Sequence, residues 1–538
     1  MTYAALTLKD RILQVLKECK SILSDFCVPN LSNEILRSEE RLMQPMQLAI
    51  IGKISSSKST LVNAILGKAE VVRTGQMEET FNVSWLKYGD VDSNINVFFK
   101  NGEIKYIPRS EWSRWTSHQE KNVLKEQVKY IEVFYDHPIL KDVNIIDTPG
   151  LDALSQIDSK NTVAFLKEIH PDAVVMLFTK SIAETTMSVL QDFQNVETGH
   201  FNLSAMNAIG VLSKADTIWS AMNPGQDIID IGNRVISTTL YDKYPEVRRS
   251  LFSILPVSSL IGLASSTLNE KDKCTIERLC GIDDSILLEM LSSPDFFIDE
   301  EYQIGVDSSE RKRVYDKFGI YGIFILVQFC RRNKDATIQA LSEVLREKSG
   351  FGKLMLTIQS HFGTRATLIK SQGILQRLLV QINSDKNINS GEAYNAITRI
   401  ESLIITALLS LHEYKEWEFL SKYYDGKLDL SDNEAEEFVS LCGERGYSAA
   451  ERLMCNEVST PAQLIDIASR RALHWQKQYN IYSVIEPEKA KFYKFLISSY
   501  NLLLMDIRNA IQEYNEAKET LNRTSCFLGF NQPQIALT

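Results

Sequence analysis

Apolar side chains recur along this chain with two different periods. Between residues 46 and 262 they gather into short β-rich runs, at 47–51, 83–88, 130–135, 143–147, 173–178, 208–212 and 253–257, with polar or helical stretches between them. Such alternation predicts an α/β layout, a mainly parallel sheet with helices on both faces. Toward the ends the period lengthens. Ile12, Val15, Leu16, Cys19, Ile22, Leu23 and Phe26 make one helical stripe. Phe492, Leu496, Leu503, Ala510, Tyr514, Ala517 and Leu521 make another, on a helix opening at Pro487. Each stripe needs a cover, and we expect the two to pair. From about residue 336 helical periodicity dominates, with helix starts at Thr460-Pro461 and Glu486-Pro487 and loops at 383–391 and 424–433. The acidic, irregular stretch 270–309 reads as a loop-rich insert. The expected division is an N-terminal helix in 1–44, an α/β head in 45–335 and an extended α-helical neck or stalk in 336–538.

Composition narrows the class. At 538 residues the chain exceeds one hydrophobic core, and a net charge of −10 gives no broad basic field, so nucleic acid is not an expected partner. The eight cysteines show no C-x-x-C pair and no zinc spacing, which suits reduced thiols in a reducing compartment. Lys9, Asp10 and Arg11 interrupt any signal-peptide core, and no stretch reaches the ~18 uncharged residues of a membrane span. The expectation is a cytoplasmic protein that meets a membrane only peripherally.

Four segments carry chemistry. Gly52-Lys53-Ile54-Ser55-Ser56-Ser57-Lys58-Ser59-Thr60 follows one strand and precedes a helix beginning near Thr60. A phosphate-binding loop has this context: backbone N–H groups wrap a β-phosphate at a helix N-terminus, a lysine reaches the β/γ oxygens, and the next hydroxyl holds Mg2+. Lys58 and Ser59 fit those roles. The usual pattern is G-x-x-x-x-G-K-[ST], and Ser57 stands where the second glycine belongs; positive φ there would cost on the order of 1 kcal/mol. Asp147-Thr148-Pro149-Gly150 ends a second strand, where Asp147 can reach Mg2+ through water and the Gly150 N–H can sense a γ-phosphate. Ser213-Lys214-Ala215-Asp216 ends a third. A carboxylate accepting from N1–H and the exocyclic amine of guanine forms a bidentate, charge-assisted pair that adenine cannot match, which assigns Asp216 to the base with the Lys214 stem along the ring. Pro256-Val257-Ser258-Ser259 closes a fourth strand and can present backbone N–H to the guanine O6. Alone, each segment also reads as an ordinary turn. Four in this order, each at a strand end, favour a site for GTP or GDP with Mg2+.

P-loop, D-x-P-G and [TNS]-K-x-D in this order mark GTP-binding proteins, and with this spacing the chain resembles the bacterial dynamin-like members of the dynamin superfamily. The run Glu79-Thr80-Phe81-Asn82-Val83-Ser84-Trp85-Leu86-Lys87-Tyr88-Gly89 is similar to their switch segment. The resemblance implies that Thr80 completes the Mg2+ shell with Ser59 and Asp147. It implies that Ser55, Lys58 and Thr80 serve catalysis, and that Gly52, Ser55, Ser56, Ser57, Lys58, Ser59, Thr60, Gly150, Ser213, Lys214, Asp216, Ser258 and Ser259 bind nucleotide. It covers roughly 45–335, and the passage 349–366 resembles the family's head-to-neck junction. Beyond that it rests on helical character alone. It further implies nucleotide-dependent pairing of heads and peripheral contact with lipid or with a partner dynamin-like protein. The contact is expected near 383–391 or 415–433, with Phe527-Leu528-Gly529-Phe530 an alternative.

One departure bears on mechanism. Family P-loops usually read G-x-x-S-x-G-K-S, often with glutamine before that serine. Ser55 is kept, but Ile54 occupies the glutamine position and cannot hydrogen-bond an attacking water, so slow turnover is expected. Two functions follow. One is a GTPase that hydrolyses GTP to drive self-association and membrane remodelling or vesicle-related work. The other is a GTP-gated interaction or scaffold protein that seldom hydrolyses. An ATPase or ATP kinase is disfavoured, because Asp216 serves no purpose with adenine.

Overall fold

A computed structural model describes residues 7–53, 55–69, 71, 82–91, 93–112, 115, 127–149, 169, 171–179, 206–241, 247, 251–299, 302, 304–363, 365–424, 427–446, 448–455 and 460–528. Ile54, Thr80 and Gly150 lie outside the described residues, as does the tail from Gly529.

Nine strands form one sheet: β1 (Met46–Gly52), β2 (Ser84–Tyr88), β3 (Ile95–Phe99), β4 (Ile104–Ile107), β5 (Val128–Tyr135), β6 (Val143–Asp147), β7 (Ala173–Phe178), β8 (Ala208–Ser213) and β9 (Ile254–Val257). Their order is β4-β3-β5-β2-β6-β1-β7-β8-β9. β6, β1, β7, β8 and β9 run parallel, and every residue in them is buried, which is why they read as continuous apolar runs. β2 is antiparallel to β6, and β3 is antiparallel to both β5 and β4. β3 and β4 are not among the expected strands. β3 alternates buried and half-buried residues and β4 is exposed along most of its length, the weak signature of a sheet edge. The register pairs Ile50 with Asp147, Gly52 with Leu177, Phe178 with Leu212 and Ser213 with Val257. It therefore sets the carboxyl ends of all five parallel strands on one edge, where α/β sheets bind ligands.

Around the sheet lie α1 (Leu8–Leu23), α2 (Pro29–Met43), α3 (Lys58–Ile65), α4 (Ile228–Val235) and α5 (Ser259–Thr267). Then come α6 (Glu270–Leu279), α7 (Asp284–Met290), α8 (Pro294–Ile298) and α9 (Ser308–Arg332). The stretch 270–309 is thus helical rather than loop-rich. Its polar and acidic groups hold it together: Asn269, Asp283 and Ser293 cap the three helices, and Asp272 accepts from Arg313 and Lys317. Fully buried Arg311 closes the insert by donating to the carbonyls of Phe297 at 2.7 Å, Val306 at 2.5 Å and Asp299. Next follow α10 (Ile338–Lys348), α11 (Phe351–Thr357), α12 (Ala366–Lys386) and α13 (Gly391–Ser410). α1 buries Ile12, Leu16, Cys19 and Leu23 and packs on α2 and α12.

The chain divides into two compact units, Met1–Ala407 and Leu408–Thr538. The first extends past residue 335 because α10 packs on α5 and α11 packs on β9. The second contains α14 (His412–Tyr424), α15 (Asp432–Leu441), α16 (Ala449–Arg452), α17 (Pro461–Ile485) and α18 (Pro487–Leu528). Its core sets Phe419 against Phe495 with ring centroids 4.8 Å apart and Phe438 edge-on to Phe492 at 5.2 Å. Glu437 accepts from the Trp475 Nε1 at 2.8 Å and from the Tyr500 hydroxyl. The starts at Pro461 and Pro487 match the expectation. The loop expected at 383–391 shrinks to a turn, because 383–386 continue α12, and 415–424 lie within α14. Among the described residues no helix is long and apolar enough to cross a membrane.

Candidate functional site

The phosphate side of the site begins where β1 runs out at Gly52. A Cβ on Gly52 would lie 2.6 Å from Ser56 Oγ and 3.0 Å from Leu177 Cβ, so only glycine lets the chain turn this tightly beside β7. Ser55 and Ser57 have φ of 58° and 66°. Ser57 is the left-handed residue before α3 and makes no side-chain cap bond. The backbone thus keeps the glycine conformation at a position where the sequence supplies serine, with strain of about 1 kcal/mol. Ser57→Gly is expected to raise folding stability by roughly that amount, read from a urea midpoint at unchanged slope. A lower midpoint would show that the serine is not strained.

Lys58, only 7% exposed, donates from Nζ to the carbonyls of Gly52 at 3.0 Å and Lys53 at 2.8 Å, which centres its charge in the loop. Ser59 Oγ donates to Asp147 Oδ2 at 3.2 Å, and Thr148 Oγ1 donates to the Ile50 carbonyl at 2.8 Å, fastening the D-T-P-G segment to β1. Asp147 is fully buried, and burial pushes its carboxyl up to about 6, against the pull of the Lys58 charge and the Ser59 hydroxyl. Its Oδ1 has no hydrogen-bond partner. A buried carboxylate oxygen in that condition calls for a cation. A hydroxyl and a carboxylate are hard oxygen donors suited to Mg2+, which takes few protein ligands and completes its shell with phosphate and water. The described residues contain no group of three or more His, Cys, Asp or Glu that could hold a metal ion.

The raised Asp147 value has a definite sign. The folded chain holds this proton more tightly than the unfolded one, so stability from the neutral carboxyl is present near pH 4 and lost as pH rises through about 6. If Asp147 holds a cation it does so ionised, and Mg2+ should then stabilise the protein much more above pH 6 than below it. Thermal unfolding with and without Mg2+ on either side of pH 6 measures this; an equal Mg2+ effect at both would remove Asp147 from the metal site.

The base side is built from the ends of β8 and β9. Ser213 Oγ donates to the Phe178 carbonyl at 2.8 Å, and Lys214, exposed with φ of 55°, turns the chain into the short 3-10 segment that carries Asp216. Burial holds the Asp216 carboxyl above the usual range, opposed by hydrogen bonds from the Ser258 hydroxyl and from its own N–H, and by the Lys214 charge. Ser258 also caps α5, its Oγ accepting from Ile261 N at 3.3 Å, while its N–H donates to the Ser349 carbonyl at 2.9 Å. With that N–H engaged, Ser258 is tied to the Ser349 corner, while Ser259 opens α5 as its first residue. Sequence reasoning does not find Ser349 or Gly319. Gly319 breaks α9 with φ of 61°, and a Cβ there would lie 3.6 Å from Asp216 Oδ2. A lone glycine inside the helical pattern of 308–332 is the available signal.

Gly52, Ser55, Ser56, Ser57, Lys58, Ser59, Thr60 and Asp147 thus meet at the ends of β1 and β6, and Ser213, Lys214, Asp216, Ser258 and Ser259 at the ends of β8 and β9. Two clefts lie elsewhere in the first unit. One of about 650 Å³ sits between α4 and the α10–α11 corner, and one of about 780 Å³ lies at the amino ends of β1 and β6. Neither contains a phosphate- or base-side residue named above.

Residues 48–215 match the dynamin family. The isoniazid-induced protein IniC of Mycobacterium tuberculosis is 24% identical over 447 residues, covering 81% of this chain and 86% of IniC. Dynamin-like protein 2 of Campylobacter jejuni is 32% identical over 154 residues, 28% of this chain and 24% of that protein. Among solved structures, an oligomerised bacterial dynamin pair, described as a mechanism for long-range sensing and tethering of membranes, aligns over 97% of this chain and 95% of its own, at 16% identity and a TM-score of 0.34.

Proposed function

Since the chain belongs to the bacterial dynamin-like GTPases of the dynamin superfamily, we propose that its head, residues 45–335, hydrolyses GTP to GDP and phosphate and couples the nucleotide to self-association and membrane work. The observation that carries the reading is the convergence on one sheet edge of Lys58, the Ser59–Asp147 pair and Asp216. Lys58 neutralises charge on the β/γ oxygens. The loop N–H groups at the start of α3 cradle the phosphates, and Asp216 selects guanine. Mg2+, when bound by Ser59 and Asp147 with Thr80 joining them, would shield the phosphate charge that develops in transfer. Ser55 and Thr80 order the water-side of the site. Ile54 cannot orient the attacking water, so a second head pressed over the nucleotide supplies ordering and water exclusion.

Pairing of heads predicts assembly in the transition state only. Sedimentation should show a larger assembly with GDP plus aluminium fluoride than with GDP alone, and liposomes should pellet that assembly. Unchanged sedimentation in all conditions would favour the second reading, a GTP-gated interaction protein with little hydrolysis, for which Ile54 is the supporting observation. For membrane contact the last turns of α17 are a better candidate than 387–390, because they expose three large apolar side chains, Ile481 by 55%, Val484 by 87% and Ile485 by 68%, where 387–390 exposes one, Ile388.

A further inference from the structure

In the second unit α17 and α18 form an antiparallel hairpin about Glu486, with Arg471 Nη1 donating to the Tyr500 hydroxyl at 3.4 Å across it. Equal steps from that bond place Pro461, the start of α17, opposite about residue 510. α18 continues to Leu528. Between 507 and 521 five of its apolar residues keep a spacing of three and four: Ile507, Ala510, Tyr514, Ala517 and Leu521. Apart from half-buried Ile511, every residue between 508 and 520 off that seam is polar or charged. Ile507 is buried, but Tyr514 is 56% and Leu521 48% exposed, and Ala510 and Ala517 are exposed too. The N-terminal stripe expected to cover this seam is used elsewhere, since Ile12, Leu16, Cys19 and Leu23 are buried in α1, which packs on α2 and α12.

We propose that residues 507–521 form a parallel two-stranded coiled coil with a second copy of this chain, independently of nucleotide. The spacing is that of heptad a and d positions, with Ile507, Tyr514 and Leu521 at a and Ala510 and Ala517 at d. Residue choice at the flanks sets the partner and the direction. Glu513 then falls at g and Lys518 at e, so Glu513 of one copy faces Lys518 of the other, on both sides of the seam. An antiparallel pair would instead bring g against g and e against e, setting like charges together. Among the described residues neither Glu513 nor Lys518 has an ion pair within its own chain. The bond of Gln512 to Glu516, at 2.9 Å, lies on the outer face and leaves the flanks open. Such a coil would raise the effective concentration of the heads for each other.

The test is sedimentation of the full chain without nucleotide across a wide concentration range. Dimer is expected, with Glu513→Lys or Lys518→Glu alone weakening it at least about tenfold, and the double exchange restoring it. Leu521→Glu should abolish it, while aluminium fluoride with GDP still pairs the heads of that variant, which separates this inference from the proposed function. A monomer throughout, single exchanges without effect, or a double exchange that fails to restore dimer would each overturn it. All three substituted positions are exposed, so circular dichroism should stay unchanged; lost helicity in Leu521→Glu transfers the decision to the charge-exchange set.

Discussion

Lys58→Ala should abolish binding of GTP and GDP alike at concentrations where the parent chain saturates, a loss of at least about a hundredfold. Its ammonium sits at the centre of the phosphate loop, 3.0 Å from the Gly52 carbonyl and 2.8 Å from that of Lys53. A hydrogen bond between charged groups contributes about 1.5–3 kcal/mol, and a lysine reaching the β-phosphate, which GTP and GDP share, can make two to its oxygens, enough for the expected loss. A second consequence falls on Asp147. The Lys58 charge opposes the burial that pushes this carboxyl up, so the substitution raises it further and weakens the Mg2+ seat at neutral pH. Calorimetry with GDP, with and without Mg2+, reads both effects. A GDP affinity within a few-fold of the parent's would mean that the loop is not a phosphate site.

Asp216→Asn should turn a guanine site into a xanthine site. Guanine offers two donors to the carboxylate, N1–H and the 2-amino group; xanthine replaces the amino group by a carbonyl, which an amide N–H can meet. Losing one charge-assisted bond and leaving a mismatched buried pair costs roughly 3–4 kcal/mol, so GTP affinity should fall by about two to three orders of magnitude while XTP gains. ATP should stay weak in both proteins. Asp216 accepts from the Ser258 hydroxyl and lies close to Gly319, where no side chain crowds it. Asp216→Ala should remove the preference for GTP over ATP without creating one for XTP. Equal GTP binding by all three proteins would leave the base unread by this residue.

The parts of the site that depend on local rules are legible in the amino-acid sequence. A missing glycine in the phosphate loop predicts a strained residue, and Ser57 has the positive φ that the missing glycine would have adopted easily. Continuous apolar runs predict buried parallel strands, and β1, β6, β7 and β8 follow them closely. Long-range ties are not legible. The role of Ser258 depends on the Ser349 carbonyl from a distant helix corner, and no local pattern announces a backbone acceptor. Gly350 sits at that corner with φ of 72°, where a Cβ would lie 2.2 Å from the Pro256 carbonyl oxygen. A glycine between two helices signals a turn but not the strand that it touches. The insert at 270–309 reads as loop rather than helix for a related reason: its acidic residues cap helices and pair with Arg313 and Lys317, partners supplied from α9. The C-terminal stripe does need a cover, but α1, its expected partner, buries its own stripe beside α2 and α12.

The central claim is that a guanine-specific head gains its catalytic power by pairing. Phosphate release from GTP and from ATP, per molecule of protein and across a wide range of protein concentration, tests it directly. The account predicts release from GTP alone, slow at low concentration and rising per molecule as the protein is concentrated. Turnover that is equal for the two nucleotides, or independent of protein concentration, would contradict it.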